Sequence, residues 1–356
     1  MKILELNMEK GWRGGERQTL LSMRQFQKAG HDVSLLARRD SELSKAAKQL
    51  GFTVYEGKSS SSAAGFFLSG RAQGFDIVHS QTPNTLTWAV LFKWRYKGKL
   101  VFSRRTDFPV KAGKDKTVRQ KWQRCDQLVA ISQSAASEPR RLGIEPLIIP
   151  SAIEPHLQKA ERFAQLLEHY GIAPGTKIIA SASAVRPEKG PLTLIKAAAK
   201  LRQQRQDFAV LHFGSGSSVA ECQQLIDQLG MADYYKMAGF HKSIENIYSF
   251  FTIFASSARI EALGSSILDA FYQKVPVVAT ASLGPSELLA DGRGLIVPID
   301  DHEALAQALG ATLDHDASVQ ARIDKAYEYV QKNNMAEAMA QRYLDLFAEL
   351  LSHRTQ

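Results

Sequence analysis

The sequence predicts an α/β protein made of two doubly wound parallel-sheet domains, on three observations. The chain has 356 residues, more than one core of about 150 residues usually organises. Short apolar runs alternate with segments of helical spacing, as βαβ units do. That alternation breaks off near residues 150–175 and then restarts, so two series are expected in tandem. The composition, 44% hydrophobic and 23% charged, is that of a globular chain with cores to bury.

The first series opens with an apolar strand at 2–7 and a Gly-rich loop at 11–15. A helix is expected over 17–29, where Leu20, Leu21, Met23 and Phe26 recur at helical spacing and Gly30 closes the segment. A strand at 33–37, a helix at 44–50 stopped by Gly51, a strand at 52–55 and a loop at 59–62 follow. Further strands are expected at 77–79, 101–103, 128–131 and 147–149. The second series reads strand 177–182, loop 184–190, helix 192–203 and strand 209–213, which runs into Gly214-Ser215-Gly216. A helix at 219–229 and short strands at 235–238, 251–255, 275–279 and 295–297 complete it. From His302 the chain is helical almost to its end. The expected domains are 1–155 and 156–335, with a last helix at 336–356. Open parallel sheets bind ligands beyond the carboxyl ends of their strands. The site is therefore sought in the loops after strands, and two such domains would face a cleft.

The charge is asymmetric. Residues 1–150 hold 26 Lys and Arg against 13 Asp and Glu, and the remainder holds 19 against 23, within a net charge of +9. The first half is thus expected to meet something anionic. The densest stretch, 93–124, has twelve basic residues opposed by Asp107 and Asp115. Trp94, Tyr96, Phe102, Phe108 and Trp122 are interleaved with Lys93, Arg95, Lys97, Lys99, Arg104 and Arg105. Cations with aromatic rings suit an anionic lipid surface. The same composition suits nucleic acid, and a charge run is also the ordinary dress of a solvated helix face. The membrane or an anionic acceptor is the expectation, with Lys93 and Arg95 in contact, and nucleic acid is not expected. Two distant cysteines, Cys125 and Cys222, form no metal-ligand cluster or disulfide framework. The N-terminus lacks the apolar core of a signal peptide. No apolar run reaches the roughly 18 to 20 residues of a membrane span. A cytoplasmic protein, peripheral on the inner face of the cytoplasmic membrane, is expected.

Residues 256–280, SSARIEALGSSILDAFYQKVPVVAT, carry the most chemistry. Glu261 stands in a loop after a strand, and Gly264, Ser265 and Ser266 open a helix. A helix N-terminus with free N–H groups and small residues can seat a diphosphate. Glu261 and Asp269 lie eight apart, before the helix and inside it, and can reach different parts of one ligand. The plainer reading is an ordinary helix start with charged residues. Asp314-His315-Asp316 has the form of an Asp-x-Asp metal motif but lies in a polar C-terminal segment and is read as a solvated turn.

The Glu-x7-Asp arrangement, with Gly264 between, resembles the Glu-x7-Glu signature of the retaining GT-B glycosyltransferases of family 4, also called group 1. The resemblance covers nearly the whole chain. Gly14-Gly15-Glu16 before a helix, Phe75-Asp76-Ile77-Val78-His79, Val129-Ala130-Ile131-Ser132, Pro187-Glu188-Lys189-Gly190, Ala238-Gly239-Phe240 and Ala290-Asp291-Gly292 look like its landmarks in order. It implies a GT-B fold of two Rossmann-like domains, with the last helix crossing back to the first domain. It implies a nucleotide-sugar donor, a UDP-sugar by expectation, with no cofactor and no metal. Glu261 would bind donor sugar hydroxyls, Asp269 the ribose, and Gly264, Ser265 and Ser266 the diphosphate. Lys189 would neutralise the leaving diphosphate. Gly14 and Gly15 would let their loop approach donor and acceptor, and Gly214 would lie near the nucleotide. The acceptor would be a lipopolysaccharide core or another lipid-linked or cell-surface glycan.

The sequence departs from the family where an Arg is usual five residues before Lys189. Ala184 stands there, and Arg186 is the candidate substitute. The family's Asn-Gly after the first domain reads Ser151-Ala152. A His usual near 103–107 is replaced by Ser103-Arg104-Arg105-Thr106-Asp107. Asp107 as base, or Arg104 and Arg105 as a phosphate clamp, would engage the acceptor there, and loop solvation is the alternative. His79, at a strand end, is assigned to the acceptor side. Two rivals to transfer are an epimerase or hydrolase of nucleotide sugars on the same fold, and a basic binding protein with a degenerate donor site.

Overall fold

Strand β1 (Lys2–Asn7) shows why the sheets are parallel and central. Ile3, Leu4 and Leu6 are all fully buried. Side chains alternate across a strand, so a run apolar on both faces must be covered on both, as helical crossovers do. In the computed structural model, which describes residues 1–352, this principle builds two units: residues 1–152 with 334–352, and residues 153–333.

In unit 1 the order is β1, α1 (Gly14–Lys28), β2 (Asp32–Arg38), α2 (Glu42–Gln49), β3 (Thr53–Gly57), α3 (Ser62–Leu68), β4 (Ile77–Ser80), α4 (Pro83–Leu91), β5 (Lys99–Arg104), α5 (Asp115–Trp122), β6 (Gln127–Ala130), α6 (Gln133–Arg141) and β7 (Leu147–Ile148). The seven strands lie in the order β3-β2-β1-β4-β5-β6-β7, and every pairing is parallel. One sheet face carries Ile3, Ile77, Val101 and Val129 against α1 and α2, and the other carries Leu4, Val78, Leu100 and Phe102 against the α3 to α5 side.

Unit 2 holds α7 (Ala160–His169), β8 (Lys177–Ala182), α8 (Pro191–Arg202), β9 (Phe208–Phe213), α9 (Val219–Gln228), β10 (Tyr235–Gly239), β11 (Ile253–Ser256), α10 (Ser265–Tyr272), β12 (Val277–Thr280), α11 (Leu283–Leu289), β13 (Leu295–Val297), α12 (His302–Leu313) and α13 (Ala317–Asn333). Its sheet order is β10-β9-β8-β11-β12-β13, again parallel.

The last helix, α14 (Ala336–Ser352), packs in unit 1. Its Tyr343 and Phe347 meet Phe26 of α1 edge-on, with ring centres 6.2 and 5.7 Å apart. Such pairs add roughly 0.5 to 1.5 kcal/mol each beyond burial. The expected helix at 336–356 ends four residues beyond the described ones, and 353–356 lie outside the description.

The strands fall close to their expected positions, and the helices less so. α1 begins at Gly14 rather than 17, because Arg13 N–H donates to the Glu16 carboxylate at 2.8 Å and fixes the first turn. Helices α3 to α7 are not anticipated. Several are short, and two begin at side-chain caps: Thr82 accepts from Thr85 N–H, with Pro83 in the first helical position, and Ser132 accepts from Ala135 N–H.

Candidate active site

Both sheets reverse their strand order once, between β1 and β4 and between β8 and β11. The loops after those strands diverge and leave a crevice at the carboxyl edge. In unit 2 they are 183–190 and 257–264. The turn Pro187–Lys189 is tied to the second loop by backbone bonds: Arg259 and Ile260 N–H both donate to the Glu188 carbonyl, at 3.0 and 3.1 Å. Ser257 Oγ donates to the Lys189 carbonyl at 3.2 Å. Gly190 follows at φ +57°, and a Cβ there would overlap the Ser257 carbonyl. Glycine is thus required by both conformation and space.

This frame holds Lys189 Nζ 2.7 Å from Glu261 Oε2 and 3.0 Å from the Ile260 carbonyl. The two side chains remain 19% and 26% exposed, so solvent and solutes can reach them. Gly264, at φ +96°, is the N-cap of α10 and turns the chain so that the first-turn N–H groups of that helix open beside Glu261. Ser265 and Ser266 are half-buried, and Ser266 Oγ donates to the Ala182 carbonyl at 3.0 Å, fastening α10 to the end of β8. Lys189, Glu261, Gly264, Ser265 and Ser266 therefore come together. Asp269 lies further inside α10 and is only 4% exposed. Arg186 is at the rim, with Nη1 3.9 Å from Glu188 Oε1.

Gly214 has a reason within the fold. At φ +135°, its Cβ would overlap the Ser183 carbonyl, so glycine lets the β9 loop pack on the β8 loop. Gly284, which the sequence reading passes over, plays a similar part behind Glu261. Its N–H donates to the Glu261 carbonyl at 2.9 Å, and a Cβ would come within 2.5 Å of that oxygen. The Asp314-His315-Asp316 segment is a structural turn. Asp314 pairs with Arg205 at 2.9 Å, and Asp316 accepts from Val319 N–H at the start of α13.

In unit 1 the edge is built differently, and two expected contact residues are corrected. His79 is fully buried. Its Nδ1 lies 2.9 Å from Glu5 Oε1 and its Nε2 2.8 Å from Ser103 Oγ, which in turn bonds Tyr343 OH at 2.8 Å. It binds the sheet to α14 and reaches no acceptor. Arg104, 5% exposed, donates to the Ala135 and Phe108 carbonyls and lies over the Trp122 ring, 5.2 Å from its centre. Burial lowers its pKa from the usual arginine value. It is a packing residue, not half of a clamp.

Arg105, one residue on, turns to the opposite face and bonds Gln81 and Ser151. Asp107 is half-buried and accepts from Ser134 Oγ at 3.4 Å. Gly15, in the first turn of α1, would bring a Cβ no closer to protein than 3.9 Å, at Arg105 Cδ. No neighbouring side chain demands a glycine there.

The basic, aromatic stretch is divided between core and surface. Tyr96, Phe102 and Trp122 are core residues, since both faces of β5 are covered, Trp122 ends α5 against the sheet, and Tyr96 is buried with its hydroxyl on the Ala89 carbonyl. Trp94 and Phe108 are exposed, at 72% and 47%. Lys93 bonds the Gly98 carbonyl and Asp126, and Arg95 bonds the Leu68 carbonyl, so part of each charge is already engaged. No described helix is long and apolar enough to cross a membrane.

Comparison with known proteins agrees with this architecture. The Glycosyltransferase Family 4 model matches residues 12–157, and the model for Glycosyl transferases group 1 matches residues 163–329. The chain belongs to the group 1, family 4 glycosyltransferases, and its fold is GT-B. A glycosyltransferase from Rickettsia africae is similar at TM-score 0.85, with 20% identity and 98% of each chain covered. HepE from Anabaena, in complex with UDP and glucose, is similar at TM-score 0.85, with 18% identity over 98% of this chain and 100% of that one. The lipopolysaccharide core biosynthesis glycosyltransferase LpsE of Rhizobium meliloti is 31% identical over 45% of this chain and 46% of its own. The core mannosyltransferase LpsB of the same organism is 28% identical over 51% and 54%. The chain thus spans about half the length of these curated relatives.

Proposed function

We propose that the protein is a retaining, metal-independent glycosyltransferase. It moves a hexose or N-acetylhexosamine from a UDP-sugar to a lipopolysaccharide core or other lipid-linked or cell-surface glycan. The Lys189–Glu261 pair beside the glycine-capped start of α10 carries this reading. Departure of a nucleoside diphosphate develops negative charge. A fixed ammonium and a helix N-terminus aimed at that charge stabilise it without a metal. Glu261 then accepts hydrogen bonds from donor sugar hydroxyls, and Asp269 serves the ribose.

The C1–O bond to the diphosphate breaks with its electron pair on the leaving oxygen. The acceptor oxygen joins C1 from the same face, and its proton passes to the leaving phosphate. An inverted product would defeat this mechanism. Unit 1 receives the acceptor. The basic edge with exposed Trp94 and Phe108 supports docking at the cytoplasmic face of an anionic membrane. The core-biosynthesis relatives LpsE and LpsB support the acceptor class.

The test is donor binding by thermal shift with UDP-, GDP-, ADP- and CMP-sugars in EDTA, since a ligand of the native state raises its melting temperature. One nucleotide sugar should stabilise the protein without metal, and Glu261→Ala and Lys189→Ala should lose that shift. A shift that needs Mg²⁺, or no shift with any nucleotide, overturns the assignment.

A further inference from the structure

The carboxyl edge of the unit 1 sheet holds one cation with incomplete hydrogen bonding. Arg105 follows β5 and shares the face of Val101 and Ser103, away from the side where Arg104 is consumed. Its Nε donates to Gln81 Oε1 at 2.8 Å and its Nη1 to Ser151 Oγ at 3.2 Å. Its Nη2 is buried and has no partner among the described residues.

The guanidinium is held in place by a buried relay. Gln81 Nε2 donates to Glu5 Oε2 at 2.8 Å, which obliges Gln81 Oε1 to face Arg105, since a flipped amide would set its oxygen against the carboxylate. Glu5, fully buried, is fixed in turn by His79. Glu5 thus reaches Arg105 only through a neutral amide. The guanidinium is positioned, yet among the described residues no acidic side chain pairs with it.

Beside it stands the N-terminus of α1, a helix of fifteen residues whose dipole favours anions. A Cβ at Gly15 would lie 3.9 Å from Arg105 Cδ, an ordinary contact, so the start of α1 sits directly against the arginine stem. A planar guanidinium with a buried, unpartnered N–H matches an anion oxygen better than a sugar hydroxyl.

We infer that Arg105 is a specificity residue that binds an anionic group, phosphate or carboxylate, carried by the acceptor. This rests on the reading that unit 1 takes the acceptor, and it adds the acceptor's charge. A neutral acceptor leaves the buried N–H unanswered, which disfavours it. An anionic one is bound and oriented in the same contact.

The test uses the full chain and three probes, glucose 6-phosphate, glucuronate and glucose, measured by calorimetry. The proteins are wild type, Arg105→Gln, Arg105→Lys, Arg71→Gln and Lys189→Ala, and each is also titrated with UDP. Wild type should bind at least one anionic probe about tenfold or more tighter than glucose, and the preferred probe identifies phosphate or carboxylate. Arg105→Gln should lose that preference, Arg105→Lys should keep part of it as a point charge, and Arg71→Gln and Lys189→Ala should keep it whole. If Arg105→Gln does not fold, the partial loss in Arg105→Lys decides. No preference in wild type, an undiminished preference in both Arg105 variants, or its loss in Lys189→Ala overturns the inference. An undiminished preference would mean that the anion is held elsewhere than at Arg105. UDP separates the two readings. If UDP binds normally while the anions are not distinguished, only the role of Arg105 fails. If no form binds UDP, the transferase reading itself fails.

Discussion

At the scale of single residues, Lys189 and Glu261 are placed for chemistry more than for stability. Their ion pair is short but partly exposed, and pairs of that kind contribute roughly 0 to 1 kcal/mol. Lys189→Ala should therefore leave the melting temperature of the free protein nearly unchanged. It should lower kcat by roughly 10² to 10³, the usual effect of removing one preorganised group from a developing anion. Initial rates beside a thermal melt check this. A large loss of stability with unchanged kcat would make Lys189 a structural residue. These two residues were legible because a loop lysine followed by glycine and an acid before a small-residue helix start are local patterns. Arg105 was legible only as one of a pair. Arg104 and Arg105 are equivalent as letters, and the alternation of β5 decides which is buried under Trp122 and which stays at the edge. The partners of Arg105 lie 24 and 46 residues away in sequence. One signal was available: Glu5 is a charge in the middle of an apolar strand, and a buried carboxylate must be answered.

At the scale of elements, the relay from Glu5 through His79 and Ser103 to Tyr343 shows why the last helix belongs to unit 1. Its bonds are self-consistent when Tyr343 donates to Ser103, Ser103 to His79 Nε2, and His79 Nδ1–H to Glu5. Burial raises the pKa of the Tyr343 phenol, keeping it a donor across the neutral range. Tyr343→Phe should weaken unit 1 by about 1 to 2 kcal/mol, the value of a buried bond whose partner is left unmatched. All four tryptophans, Trp12, Trp88, Trp94 and Trp122, lie in unit 1, so urea unfolding followed by tryptophan fluorescence reports the change. An unmoved midpoint would show that aromatic packing alone holds α14. Strands were easier to read than helices for a related reason. Parallel strands covered on both faces are short apolar runs visible as such, whereas α5 and α6 are largely polar helices that start at turns and caps set by tertiary packing.

At the scale of the whole molecule, unit 2 should lose stability to acid at a higher pH than unit 1. In unit 2, His212 of β9 is buried, with Nδ1 2.7 Å from Tyr235 OH and Nε2 unpartnered among the described residues. Burial pushes its pKa down from 6.5 to about 4. A group with a lowered folded pKa contributes stability that is present above the unfolded value and lost as pH falls through the folded one. Unit 2 should thus lose about 3 kcal/mol between pH 6.5 and 4. In unit 1, hydrogen bonds from Ser44 to Glu56 and from Arg141 to Glu138 hold those carboxyls below their ordinary value. Their contributions are present above the unfolded carboxylate value and lost as pH falls through the lowered one, later in an acid titration than the loss at His212. Acid titration should therefore lower the melting transition seen by circular dichroism, which reports both units, before the one seen by tryptophan fluorescence, which reports unit 1. His212→Phe should cost roughly 1 to 2 kcal/mol at neutral pH through the unpaired Tyr235 hydroxyl and flatten the acid limb of the dichroism curve. If the variant keeps the wild-type slope between pH 6.5 and 4, the proton is taken up elsewhere and His212 is not the acid-sensitive point of unit 2.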